Sequence, residues 1–115
     1  MAITQAYVGS ATIGTTEYSL PNASTTLTPI AVAGIYQLFL DLSALTATES
    51  YKLKIMEKVQ AGSTQRLIQD TIISGVQAEP VYASVSLLLM NGWDMTLTKL
   101  SGTDRAIEFS IRKVA

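Results

Sequence analysis

The residues with chemistry to offer are few. Asp41 and Glu49 flank one connection, and Asp94 and Asp104 lie at opposite ends of one predicted strand. Brought face to face, such carboxylates could share acid and base roles in glycoside hydrolysis, or hold Ca²⁺. Their spacing has no Asp-X-Asp run and no EF-hand pattern, so turn capping and surface charge account for them. The chain has no histidine and no cysteine, which removes the commonest general base, the usual zinc ligands and any disulfide framework. Serine and threonine are abundant, but no Gly-X-Ser-X-Gly elbow or paired base accompanies them. The expectation is a non-enzymatic chain without cofactor or metal.

Binding groups are the next candidates. Lys52, Lys54 and Lys58 form a basic stripe on one strand face, with Glu49 and Glu57 close in sequence, and read as a solvated surface. Tyr36, Tyr51, Tyr82 and Trp93 are the rings available for a sugar platform. Tyr51 falls on the apolar face of its strand and reads as core. Trp93, beside Asn91-Gly92, is the most exposed candidate, although plugging the end of the fold suits it better. Net charge is −1, so no footprint for nucleic acid or anionic lipid is present. Charged residues make up 15% of the chain, against roughly 25% in ordinary soluble domains. Met1 to Leu40 contains only Glu17, and the first basic residue is Lys52. A stretch so neutral and apolar needs a cover.

These residues must be positioned by strands. A chain of 115 residues suits one domain. Tyr51, Leu53, Ile55 and Val59 alternate with Lys52, Lys54 and Lys58, the pattern of a half-buried strand. Ile35 to Leu42 is apolar almost throughout, which suits a strand covered on both faces. Further strands are predicted at Thr15 to Leu20, Thr64 to Ile73, Tyr82 to Leu89, Trp93 to Leu100 and Arg105 to Val114. In the Tyr82 strand, Ala83, Val85, Leu87 and Leu89 point inward and Ser84 and Ser86 outward; in the last, Ile107, Phe109 and Ile111 oppose Glu108, Ser110 and Arg112. Asn91-Gly92 and Ser101 to Asp104 predict hairpins, and Asp41 to Thr46 a short helical turn whose Leu42 and Leu45 plug one end. Turn signals every ~8 to 12 residues indicate an all-β, antiparallel β-sandwich of jelly-roll type over residues 15–115.

Residues 1–14 have a weak period of two and no charge. They read either as an extended N-terminal arm lying on a partner, through Ile3, Tyr7, Val8 and Ile13, or as a loose terminus with an edge strand. No basic region precedes an apolar run, so a secretory leader is not expected. Leu27 to Leu45, interrupted by Pro29, Gly34, Gln37 and Asp41, is too marginal to cross a bilayer.

The block Gly34 to Val59, followed by Gly62-Ser63-Thr64-Gln65-Arg66 and later by Leu97-Thr98-Lys99-Leu100-Ser101-Gly102-Thr103-Asp104-Arg105-Ala106, resembles the small β-sandwich virion proteins of tailed bacteriophages. The resemblance covers about Ala33 to Val114. With the uncharged arm, it is most similar to capsid decoration, or cement, proteins. It implies a place on the outer capsid surface, the major capsid protein as partner, and a homo-oligomer, with a trimer favoured. The rival expectation is a tail or head-fibre component binding a host-surface glycan through Trp93, Tyr36 or Tyr82.

Overall fold

A computed structural model describes residues 2–114. Met1, where the expected arm begins, and Ala115, where the expected sandwich ends, lie outside them. Among the described residues there is no helix. The chain forms β1 (Ile3–Ile13), β2 (Tyr18–Ser19), β3 (Gly34–Asp41), β4 (Ser50–Glu57), β5 (Arg66–Ser74), β6 (Val81–Ala83), β7 (Leu87–Leu89), β8 (Asp94–Ser101) and β9 (Arg105–Val114). One sheet has the order β1-β9-β3, with β6 and β7 end to end along the far edge of β3; the other has the order β2-β8-β4-β5. Every strand pair is antiparallel. The two sheets form the expected β-sandwich.

The core is the set of side chains that alternation turns inward from both sheets. Tyr36, Leu38, Leu40, Ile107, Phe109 and Ile111 of the first sheet bury with Tyr51, Leu53, Ile55, Met95 and Leu97 of the second. Leu42 and Leu45 plug one end as expected, but through a turn. Asp41 Oδ1 accepts the Ser43 N–H at 2.9 Å and the Leu45 N–H reaches the Leu42 carbonyl at 3.1 Å. One short i→i+3 contact is all that the six-residue span sustains, since a helical nucleus is costly.

The segment expected as an arm is β1, a strand of the sandwich paired with β9 from Ile3↔Val114 to Ile13↔Arg105. Its own side chains hold it there. Ile13 is buried in the core, and Tyr7 packs edge-on against Trp93 with centroids 5.7 Å apart. The Tyr51 hydroxyl donates to the Ile13 carbonyl at 2.7 Å. An unpaired edge on β9 is a stronger claim on this backbone than solvent, because each ladder bond satisfies groups that sheet burial would otherwise strand.

Other expectations fail for one recurring reason: the turns carry the chain between sheets. Asn91-Gly92 does not join paired neighbours, since β7 pairs with β3 while β8 pairs with β2 and β4. Gly92 does take the positive φ, +49°, that the dipeptide advertises. The Ser101 to Asp104 turn likewise leads from β8 in one sheet to β9 in the other. Gly102 has φ +84°, and a Cβ there would lie 2.6 Å from the Thr48 carbonyl. The long Tyr82 strand is broken, and its faces are reversed at the break. Ser84 is buried and Ala83 and Val85 are exposed. The Ser84 N–H donates to the Leu38 carbonyl and its Oγ accepts the Leu38 N–H, both at 2.9 Å, so a side-chain oxygen replaces a ladder carbonyl. β3 is covered on one face only: Tyr36, Leu38 and Leu40 are buried, and Ile35, Gln37, Phe39 and Asp41 face outward. Val59 lies beyond the end of β4 and is exposed.

Because β1 covers core, deletion of residues 2–14 is expected to abolish cooperative unfolding and near-UV circular dichroism instead of leaving a folded remainder. A truncated chain that melts in one transition near the full-length Tm would contradict this placement of β1.

Candidate functional site

The carboxylates are each committed elsewhere. Glu49 is buried, enclosed by the turn at Gly102. Its oxygens accept the Thr46 N–H (2.6 Å), the Thr46 and Thr48 hydroxyls (2.8 and 2.6 Å) and the Thr103 N–H (3.2 Å). Arg105 adds a directional contact from Nη2 at 3.3 Å; its Nε, 3.1 Å from Oε1, is not aligned for a hydrogen bond, so that contact is ionic. These donors, the Thr48 hydroxyl first and the Thr46 amide second, hold the Glu49 carboxyl well below the usual range. Asp94 is buried beside the Ser19 hydroxyl (2.7 Å) and the Met95 N–H (2.8 Å), and burial outweighs these bonds and raises its pKa. Asp104 pairs with Lys99. Asp41 lies on the outer face of β3, directly across from Glu108, and Ser43 lowers its pKa. The Asp41 and Glu49 pairing needed for glycosidase chemistry is therefore not formed. Among the described residues no three acidic side chains gather as a metal site.

Two of the three lysines of the basic stripe are paired on the sheet itself. Lys52 pairs with Asp70 at 3.1 Å and Lys54 with Glu17 at 3.0 Å. The rings are mostly interior. Trp93, Tyr36 and Tyr51 are fully buried; the Trp93 Nε1–H and the Tyr36 hydroxyl both donate to the Val32 carbonyl, at 3.0 and 2.9 Å. Burial first, then Tyr7, pushes the Tyr36 phenol up to about 12. Trp93 is thus a core residue and not a platform. Tyr82 is half-buried, its hydroxyl accepting from Gln69 at 2.7 Å.

Exposed apolar side chains stand on β5, at Leu67, Ile68 and Ile72, and on the outer face of the β1-β9-β3 sheet, where they line up across strands. At one end four strands contribute one apolar side chain each to a single row. Ile3 of β1 lies opposite Val114 of β9, Val114 opposite Ile35 of β3, and Ile35 opposite Leu88 of β7. Ile3 is 73% exposed and Leu88 78%. The exposed Met90 extends the row, and a shallow depression of about 330 Å³ runs along it between Ala33, Ile35, Leu88 and Met90. Toward the other end the face becomes mixed. A groove of about 440 Å³ is bordered by Gln5, Val8, Phe39, Asp41, Glu108 and Arg112. The Arg112 guanidinium lies 3.9 Å over the Phe39 ring.

Of the residues expected to meet a partner, Ile3 and Val8 stand on this face, Tyr7 is half-buried and Ile13 is core. Ile35, Leu88, Val114 and Phe39 escaped the sequence reading. The signal for β3 was present in the alternation Ile35, Gln37, Phe39, Asp41, which a one-sided strand would show.

The chain matches no protein family model and no curated protein. Among solved structures it is similar to the C-terminal family 22 carbohydrate binding module of Clostridium thermocellum Xyn10B, at 13% identity and a TM-score of 0.38, covering 86% of this chain and 64% of that one. A second is the xylan-binding domain from CBM 22, at 14% identity and a TM-score of 0.34, with the same coverage. A third is the CBM22-1 and GH10 modules of xylanase 10B from the same organism, at 14% identity and a TM-score of 0.35, covering 74% of this chain and 17% of that one. The chain thus spans less than two thirds of the length of each.

The buried acids give opposite pH signatures. Glu49, with its pKa lowered by folding, contributes stability present above its unfolded pKa and lost as pH falls through its folded one. Asp94, with its pKa raised, costs stability once pH rises above its unfolded value. Glu49→Gln should lower Tm at neutral pH, with the gap to the parent closing as pH falls below the usual carboxylate range. Asp94→Asn should match or exceed the parent at neutral pH and lose that advantage in acid. Calorimetric melts across this range check both signs; parallel curves for parent and variants would refute them.

Proposed function

We propose that this chain is a non-catalytic structural protein of a phage virion, a capsid decoration protein that docks on the major capsid protein at the outer surface of the head. The observation that supports the reading is the apolar row Ile3, Val114, Ile35 and Leu88 across the outer face of one sheet. The wet face of an antiparallel sheet ordinarily carries polar side chains. A contiguous exposed apolar set marks a contact surface. The row is rigid, because all four side chains stand on paired strands, so little ordering cost opposes docking. A protein that binds the assembled lattice and not free subunits stabilises the lattice by mass action.

Leu88→Glu tests this without threatening the fold, since the side chain is 78% exposed. It should cut occupancy on phage heads at least about tenfold, the effect of ~1.4 kcal/mol, with an unchanged Tm. Co-sedimentation with decoration-free heads is the readout. Parent-like occupancy would end the docking assignment.

The groove favours a second reading, binding of a neutral host glycan. One ring face at Phe39 beside the amide of Gln5 and the carboxylates of Asp41 and Glu108 is a mixture that can meet a sugar's apolar face and its hydroxyls. A sugar would have to displace Arg112 from the ring, which places this reading second. Saturable binding on a glycan array that Phe39→Ala abolishes would support it; an array without signal for the parent would eliminate it.

A further inference from the structure

β1 is the free edge of its sheet. Such an edge offers about half of its N–H and C=O groups to any passing strand. Proteins normally defend it with charge, proline, shortness or interruption. The other edges here are defended. β2 is two residues long, the β6 and β7 edge is broken at Ser84 to Ser86, and β5 carries Arg66 and Asp70. β1 runs for 11 residues without a charge or a proline. Its one irregularity is a bulge between Gln5 and Tyr7.

We infer that β1 pairs antiparallel with β1 of a second copy, about a two-fold axis at Ser10. The bulge selects this register. From Tyr7 to Ile13 the strand alternates without interruption, with Tyr7, Gly9, Ala11 and Ile13 on the core side and Val8, Ser10 and Thr12 outward. Two copies of that segment match faces at every position only when Ser10 meets Ser10. Val8 of one copy then opposes Thr12 of the other, Gly9 opposes Ala11, and Tyr7 opposes Ile13. Centring on Gly9 would bring outward Gln5 against inward Ile13, and centring on Ala11 would run Val8 past the strand end at Gly14. Val8 against Thr12 is a β-branched cross-strand pair of the stabilising kind. No like charges meet, because the strand has none.

The pairing fuses the two sheets into one, in the order β3-β9-β1-β1-β9-β3, with both apolar rows on the same side. Isologous pairing closes at two copies, in place of the three-fold order that the resemblance implies. Only the use of the dimer rests on the docking proposed above: two rigidly linked rows would bind a lattice with the avidity of a bivalent ligand.

The chain has no cysteine, so single introduced thiols report the pairing directly. Residues directly opposite in a ladder have Cβ atoms about 4.5–5.5 Å apart, near disulfide reach. Under mild oxidation of purified protein, Ser10→Cys should form covalent dimer at least about tenfold faster than the exposed control Ala61→Cys. A mixture of Val8→Cys and Thr12→Cys should crosslink while either alone does not. By light scattering the parent should be a dimer, and Ser10→Lys, which sets two ammonium groups on the axis, should be a folded monomer by circular dichroism. The proposal is overturned if Ser10→Cys reacts like the control, if Val8→Cys alone crosslinks as fast as the mixture, or if the parent is a monomer or trimer. All of this is read without capsids, so failure here leaves Leu88-dependent docking standing, and loss of docking in Leu88→Glu leaves the crosslink intact.

Discussion

Sandwich closure in this protein depends on β1 lying along β9. The strand covers the end of the core with Tyr7 and Ile13, and it takes the Tyr51 hydroxyl on the Ile13 carbonyl while Tyr51 in turn accepts the Arg105 N–H at 2.9 Å. One phenol thus ties the last turn of β1 to the first residue of β9 across the sandwich. The Lys99 N–H, 2.8 Å from the Gly14 carbonyl, fastens the chain as it leaves for the other sheet. Without β1 the Trp93 and Tyr36 rings would lose their Tyr7 neighbour and the outer apolar row would lose Ile3.

A second constraint follows from the connectivity. Apart from β4 to β5 and β6 to β7, successive strands alternate between sheets, so their turns must cross the ends of the core and cannot satisfy their backbone in a hairpin. Buried side chains do that work instead. Glu49 gathers the 46–49 loop and the Gly102 turn around one carboxylate, and Ser84 splices the break between β6 and β7 into β3. Asp94 and Ser19 join β8 to β2. Buried polar groups are costly unless satisfied; here Glu49, Ser84 and Asp94 each make at least one bond to a segment distant in sequence, and those bonds specify which turn meets which loop. With no disulfide to set that choice, the polar ties are what distinguishes this connectivity from its near alternatives.

This explains where the sequence was legible. Alternation in Tyr51, Leu53 and Ile55 and in Ile107, Phe109 and Ile111 identified inward faces correctly, because period two reports burial directly. The sandwich class followed from the regular spacing of turn signals between such strands, and the Leu42 and Leu45 plug from a capped turn carrying two apolar residues. Turn chemistry reported only local backbone. Gly92 and Gly102 do adopt positive φ, yet nothing in a dipeptide says whether the strands it joins share a sheet. Ser84 looked like a solvated residue because its two partners on Leu38 are 46 positions away. The candidate surface was half visible: Ile3 and Val8 stood out for lack of charge, whereas the row they join exists only through register between four strands, which no single segment encodes.

The distribution of charge gives the molecule a direction. On the outer face of the β2-β8-β4-β5 sheet, Lys52 meets Asp70 and Lys54 meets Glu17, each pair partly exposed. Such pairs contribute little to stability, but they keep that face hydrated and expensive to bury. The opposite face carries the apolar row and its few charges toward one end, Asp41, Glu108 and Arg112. Desolvation therefore selects which side approaches another protein, since burying the row releases water from hydrocarbon while burying the lysine face would strip ions. The scarcity of charge in the first forty residues and the neutrality of β1 are then one feature: this part of the chain builds the sheet whose edge and outer face are left unguarded.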